Sequence, residues 1–229
     1  RPHLFTMVLI PFWLWICHIF QKYPKKAILL FSGVMLVWVN LHGEYIVGFL
    51  ILISYFAESV WDLFMKKGPE EKAILWNWAL AIFACFVVTF LNPVGIHVWS
   101  TILQFVGNQY LVSHTVETQP LQVFNLALAP AWTMIGSCLI TLIVRRNYLK
   151  LSDILMLLGF SLMAYLSARN IHILGLVAPI VFAGAWKNVK LPDLIQRFDN
   201  ALRKFSNPNG SEVWIMSLLM VGFFTITLT

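Results

Sequence analysis

The sequence predicts an all-α, polytopic protein that crosses a membrane several times, and three observations support this prediction. Of its 229 residues, 59% are hydrophobic and 11% are charged, whereas soluble domains carry about 25% charged residues. The apolar residues are gathered in blocks of roughly 17 to 24, the length that an α-helix needs to cross the hydrocarbon core of a bilayer. These blocks do not alternate apolar with polar residues, which disfavours a lipid-facing β-barrel.

About eight spans are predicted, within a single transmembrane domain that covers the whole chain. They run over residues 4–20, 27–39, 45–64, 74–91, 121–144, 151–167, 171–186 and onward from 213. Gly68-Pro69 and Asn92-Pro93 follow the third and fourth spans, and such pairs end helices. A kink is predicted at Pro130 inside the fifth span.

Two further segments are predicted to lie at the membrane surface. Within residues 92–120 the apolar stretch 98–106 is too short to span, which favours an external interfacial or re-entrant helix. Residues 186–210 are basic, and their apolar residues recur at helical spacing, which indicates an amphipathic helix on the cytoplasmic surface.

The charges predict the orientation of the chain. When the predicted loops are assigned alternately to the two sides, every Lys and Arg except Arg1 and Arg169 falls on one side. That side is cytoplasmic by the positive-inside rule, so both ends of the chain are expected outside a bacterial inner (plasma) membrane. Topology and anionic lipid account for the net charge of +6, and no nucleic-acid partner is implied.

The predicted external face holds most of the unusual polar residues, and ionisable groups at membrane depth are candidates for function. The turn between spans two and three contributes Asn40, His42 and Glu44. Candidate catalytic residues are Glu44, His42 and Glu117; candidate phosphate- or lipid-carrier-binding residues are Arg169, Asn170 and Arg1; supporting polar residues are Asn40, Asn92, His97, His114 and His172. His3 is placed on the same face without a role.

Neither metal nor disulfide chemistry is indicated by residue spacing. The histidines match no zinc motif, and Cys17, Cys85 and Cys138 are far apart inside apolar blocks. No metal ligands are therefore assigned and no cofactor is certain, although a divalent metal stays open.

Arg169 stands out because it departs from the charge rule. Its guanidinium, near the interface, suits a phosphate or carboxylate through paired hydrogen bonds. A structural ion pair with Glu44 or Glu117 is the alternative interpretation.

Five phrases in the sequence together resemble a known family. They are RPHLFT at 1–6, WVNLHG at 38–43, LNPVG at 91–95, VETQP at 116–120 and ARNI at 168–171. In this order they resemble bacterial membrane proteins related to the GT-C glycosyltransferases.

The resemblance implies transfer of a sugar from a polyprenyl-phosphate carrier to an acceptor at the external face. Arg169, with Arg1, would hold the lipid-linked phosphate, while His42, Glu44 and Glu117 would line the acceptor or metal region. In that superfamily the catalytic carboxylate lies in the first external loop, so the chain is expected to be a later portion of the protein.

Two other functions compete with this one. The chain is also consistent with a non-catalytic integral subunit whose partners are other proteins of a larger membrane complex. A transporter is a further alternative, although transporters carry charged residues near the midplane of several spans and this chain has almost none there.

Overall fold

The computed structural model describes residues 3–107, 119–122 and 128–187, and the regular secondary structure in these ranges consists of α-helices and short 3₁₀ turns. The all-α prediction is therefore confirmed. The described residues form eight α-helices: α1 (His3–Phe20), α2 (Pro24–Leu41), α3 (Ile46–Lys66), α4 (Pro69–Val88), α5 (His97–Gly107), α6 (Ala129–Val144), α7 (Leu151–Leu166) and α8 (Ile171–Ala185).

Proline and a left-handed residue set the helix boundaries at two turns. Pro24 and Pro69 lie in the first turns of α2 and α4, where the missing N–H of proline costs nothing. Helix α3 ends where Lys67 adopts a left-handed φ of 53°, and its N–H caps the carbonyl of Leu63. These turns reverse the chain within two or three residues, so consecutive helices run antiparallel.

The described residues contain five helices that are long and apolar enough to cross a membrane. Their length and composition indicate a multi-pass membrane protein. The candidate spans are His3–Phe20, Pro24–Leu41, Gly43–Lys66, Pro69–Val88 and Ala168–Ala185. The prediction of eight spans is therefore not supported. Helices α6 and α7 have 16 residues each and are about 24 Å long, against about 30 Å of hydrocarbon. The predicted eighth span, and residues 188–210 of the predicted surface helix, lie outside the described residues.

The predicted fifth span is wrong at its beginning. Residues 119–122 are not helical, and α6 starts at Ala129 with Pro130 in its first turn rather than at a kink. The backbone N–H of Leu121 donates to the carbonyl of Tyr165 at 3.0 Å, so this stretch lies beside the end of α7. A proline that starts a helix looks in sequence like one that kinks a longer helix, which explains the difference.

The helices pack as antiparallel neighbours whose turns lie at two opposite ends. Helix α2 contacts α1 and α4, α3 contacts α4 and α7, and α8 contacts α1 and α7. Turns 21–23, 67–68 and 145–150 form what we call the basic end. Turns 42–45 and 167–170 form the opposite end, which we call the Glu44 end. Aromatic side chains such as Trp13, Trp38 and Phe31 fill the core, while large apolar residues such as Leu29 and Ile143 are about three-quarters exposed, as lipid-facing residues are.

A partly buried carboxylate, that of Glu58, ties α3 to α7 at the basic end. Glu58 accepts hydrogen bonds from both the backbone N–H, at 3.2 Å, and the hydroxyl of Ser152, in the first turn of α7. A carboxylate at a helix N-terminus satisfies free N–H groups and opposes the helix dipole.

We expect Glu58→Ala to lower the free energy of unfolding by about 2 kcal/mol, because it leaves the helix terminus of α7 without its acceptor. Asp62→Ala on the same helix removes only an i,i+4 pair with Lys66, at 3.2 Å and more exposed, and should cost below about 0.5 kcal/mol. Denaturant unfolding in mixed micelles, followed by circular dichroism, measures both. Equal losses in the two variants would contradict the assignment.

Candidate functional site

The Glu44 end is built from two turns of the same design. In the first, α2 is followed by extended His42, with φ −158° and ψ 141°, a 3₁₀ turn over Gly43–Tyr45 and α3. In the second, α7 is followed by extended Ser167, with φ −151° and ψ 119°, a 3₁₀ turn over Ala168–Asn170 and α8. Glu44 and Arg169 are the middle residues of the two turns, so the design presents one negative and one positive side chain.

A buried hydrogen bond fixes the first turn against α1. The indole N–H of Trp38 donates to the hydroxyl oxygen of Thr6 at 3.2 Å, and that hydroxyl lies 3.2 Å from Nδ1 of His42. Thr6 and Trp38 are fully buried. Because His3 lies one helical turn before Thr6, and His42 one turn after Trp38, this contact directs both histidines to the same place.

Glu44 is the centre of the site. Its carboxylate oxygens lie 2.9 Å from Nδ1 of His3, 3.3 Å from Nδ1 of His42 and 3.3 Å from Nε2 of His172. Nε of Arg169 lies 3.6 Å from the same carboxylate. Four elements that are distant in sequence, α1, the two turns and α8, therefore converge on one side chain.

The cluster is largely shielded but accessible on one side. The side chains of Glu44 and His42 are 11% exposed, whereas those of His3 and Arg169 are 28% and 29% exposed. Burial lowers the pKa of His42 and outweighs the neighbouring Glu44 carboxylate, which raises it; the charges of His3, Arg169 and His172 lower it further. His42 is thus neutral at pH 7, and one of its two ring nitrogens carries a lone pair.

The structure brings together four of the residues that the sequence selected, namely His42, Glu44, Arg169 and His172. The pairing of Arg169 with Glu44 was one of the two interpretations left open for this arginine. Three other selected residues, Arg1, His114 and Glu117, lie outside the described residues.

Three of the remaining selected residues, all asparagines, hold the backbone around the site. The side-chain amide of Asn170 donates to the carbonyl of Met163 at 3.1 Å and secures the second turn. That of Asn40 donates to the carbonyl of Leu91 at 3.3 Å and joins α2 to the chain after α4. The side chain of Asn92 accepts from the N–H of Val94 at 2.8 Å, which shapes the turn itself. His97 is exposed at the start of α5.

Two residues of the site were not selected from the sequence. They are His3, which contacts Glu44, and Thr6, which contacts His42. Nothing in their spacing to Glu44 indicates contact, because 41 residues separate His3 from Glu44. The sequence does contain a signal for the two turns that build the site. LHGEYI at 41–46 and LSARNI at 166–171 share their leucine, isoleucine and spacing.

A second polar region lies at the basic end, where a small cavity is lined by Glu58, Asp62 and Glu71 among others. Glu58 is engaged by Ser152 and lies 3.9 Å from Lys150, and Asp62 pairs with Lys66. These partners give two of its acids a structural role, which leaves the Glu44 cluster as the stronger candidate for chemistry.

Comparison of the chain with protein-family models, with curated proteins and with solved structures finds no match.

Proposed function

We propose that this protein is part of a membrane glycosyltransferase of the GT-C type, which acts on a polyprenyl-phosphate-linked sugar at the Glu44 end. The observation that carries the proposal is the joining of a carboxylate, three histidines and one arginine at the end of an apolar helical bundle. Arg169 lies at the Glu44 end, opposite the basic end. Attraction of basic residues to anionic lipid at the basic end therefore does not explain this arginine.

Arg169 is the proposed anchor for the lipid-linked phosphate. A guanidinium offers five N–H donors in a planar fork that matches phosphate oxygens, and the side chain is 29% exposed. A phosphate beside Arg169 would leave the polyprenyl tail against the apolar outer surfaces of the helices. Expulsion of that phosphate as a leaving group develops negative charge, which a fixed cation stabilises.

Glu44 and His42 are the proposed proton acceptors. Transfer of a sugar to an acceptor hydroxyl requires a base that removes the hydroxyl proton as the new bond forms. Glu44 is 11% exposed and His42 is neutral at pH 7, so either group can accept a proton from a substrate that enters on the side of His3 and Arg169.

The transporter alternative is less well supported. Within the described ranges, the buried polar residues are serines and threonines, and no charged side chain is fully buried among the spans. Transporters instead place ionisable groups along the substrate path near the midplane.

Polyprenyl phosphate should bind the purified full-length chain at about one lipid per chain, and Arg169→Ala should weaken binding at least about tenfold, because charge-assisted hydrogen bonds to phosphate contribute about 1.5–3 kcal/mol. Native mass spectrometry with added lipid measures the occupancy. The matched control is Arg146→Ala, which removes the same charge from an exposed residue of the basic end.

Equal weakening by the two arginine variants would show that the lipid binds by charge alone and would contradict the proposal. Absence of lipid together with a stoichiometric co-purifying protein would support the non-catalytic subunit instead.

A further inference from the structure

Three of the groups around Glu44 meet the spatial requirement of a metal site. One ligand atom each from His3, His42 and Glu44 lies within 4.8 Å of the others. The rings of His3 and His42 are 4.7 Å apart and nearly perpendicular, so the two nitrogens approach the carboxylate from different directions rather than stacking over it.

The distances are those of ligands around one small cation. A tetrahedral zinc ion with bonds of 2.0–2.1 Å separates its ligand atoms by about 3.3 Å. Nδ1 of His42 and Nε2 of His172 both lie 3.3 Å from Oε2 of Glu44. Nδ1 of His3 lies 2.9 Å from Oε1, so His3, His42 and Glu44 can approach one common centre, while His172 contacts the same carboxylate.

The hydrogen bonds of His172 provide a second, independent observation. Its Nδ1 lies 2.6 Å from the carbonyl oxygen of Arg169, which can only accept a hydrogen bond, so Nδ1 carries a proton. In the neutral form of the His172 ring, Nε2 then carries a lone pair, and this nitrogen faces the carboxylate of Glu44 at 3.3 Å. Two electron-rich atoms at this distance repel one another unless a cation lies between them, either a proton on Nε2 or a metal ion.

The same arrangement is typical of histidines that bind metals. A metal-ligating histidine almost always donates its other N–H to a carbonyl or carboxylate, which fixes both the tautomer and the ring orientation. The carbonyl of Arg169 has this position relative to His172.

We propose that His3, His42 and Glu44 bind one divalent transition-metal ion of the zinc class, with His172 beside them as a nitrogen partner of the same carboxylate. Imidazole nitrogens with one carboxylate oxygen are the donors that Zn²⁺ prefers, whereas Ca²⁺ and Mg²⁺ require mostly oxygen ligands. The proposal does not rest on the function proposed above, but the two compete for Glu44 and His42, whose electron pairs either accept a proton or bind the ion.

A metal here would extend what the site can recognise. One carboxylate against a divalent ion leaves the centre positively charged, and Arg169, with its Nε 3.6 Å from Glu44, adds a further positive charge. The exposed edges of His3 and Arg169 give access to this centre. The ligand class that fits is therefore an anion with oxygen donors, such as a phosphate or a carboxylate.

The test is metal binding by the purified full-length chain, prepared without a histidine tag, stripped with a chelator and then titrated with Zn²⁺ alone. We expect about one ion per chain by elemental analysis. We also expect Co²⁺ in place of Zn²⁺ to give the strong visible absorption of a tetrahedral site, which loose surface binding does not produce.

Glu44→Gln and His3→Ala should each weaken Zn²⁺ binding at least about 100-fold, and His172→Ala about 10–100-fold, which is the cost of losing the partner of a metal ligand. The matched control is His18→Ala, which removes an exposed histidine about 22 Å along α1 from His3 and should leave binding unchanged. Circular dichroism checks that each variant is helical, and Glu44→Gln retains the shape of the side chain.

Failure of the wild-type chain to retain about one Zn²⁺ would overturn the proposal and assign the cation between Glu44 and His172 to a proton. Equal binding by wild type and Glu44→Gln, or equal loss in His18→Ala, would overturn it as well, because the ion would then bind elsewhere.

Discussion

Glu44→Ala should lower the free energy of unfolding by about 3 kcal/mol, the cost of breaking a buried ion pair by removing one partner. The carboxylate is 11% exposed and lies within 3.6 Å of Arg169 and three histidines, so its removal leaves those groups without their common acceptor. The helices that meet at the Glu44 end would lose a side chain that α1, the second turn and α8 all contact. Denaturant unfolding in mixed micelles with chelator present measures this effect free of any bound metal.

A double-mutant cycle separates the ion pair from other effects of the substitution. Arg169→Ala alone should cost about 1 kcal/mol, because Arg169 is more exposed than Glu44. The double variant should be less destabilised than the sum of the two, since each single variant leaves a charge unpaired. Glu70→Ala, at an exposed carboxylate in the first turn of α4, should stay within about 1 kcal/mol of wild type. Additive losses would mean that Glu44 and Arg169 do not interact.

Fold class follows from the sequence because membrane helices satisfy their backbone within the segment. Each apolar block must form its own hydrogen bonds in lipid, so composition and block length alone predict helices. Helices α1 to α4 begin or end within a few residues of the predicted spans. The tight turns at Pro24 and Gly68-Pro69 are also predictable from the sequence, because proline and glycine favour turns and proline starts helices.

The number of spans could not be obtained in this way, because an apolar block of sequence can be longer than the helix that forms within it. The predicted fifth span included residues 121–128, but backbone bonds from Leu121 to Tyr165 and from Ala168 to Gln119 hold the chain beside α7. These pairings join residues more than forty positions apart and leave no periodic trace. Leu121 is 3% exposed, so this apolar residue packs inside the protein and is not part of a helix that crosses the bilayer.

Part of the site could be predicted and part could not. His42, Glu44, Arg169 and His172 were selected because ionisable groups near the ends of apolar helices are costly and stand out. His3 was not, because its role depends on how α1 packs against α2 and α8. The buried contact of Trp38 with Thr6 sets that packing, and a tryptophan near a span end is equally typical of an interfacial belt.

The packing of α1 against α2 and α3 makes Trp13 the residue whose loss should cost most in the core. Its side chain is fully buried, its ring lies 4.7 Å from that of Phe31 and 5.7 Å from that of Trp38, and its N–H donates to the carbonyl of Gly48 at 3.1 Å. A Cβ at Gly48 would meet ring atoms of Trp38 at 3.1 Å and Trp13 at 3.2 Å. Only glycine lets α3 approach this closely, as small residues do between membrane helices.

Trp13→Ala should lower the free energy of unfolding by about 3 kcal/mol, because a cavity stays behind where lipid cannot enter. Trp13→Phe keeps most of the volume and loses the hydrogen bond to Gly48, so about 1 kcal/mol is expected. Trp15→Ala is the matched control, since Trp15 is 50% exposed on the same helix, and its loss should cost little. Because Trp13 supports Trp38, and Trp38 in turn supports Thr6 beside His42, Trp13→Ala should also weaken Zn²⁺ binding, while Trp15→Ala should not. Equal unfolding free energies for the two alanine variants would place the packing centre of this bundle elsewhere.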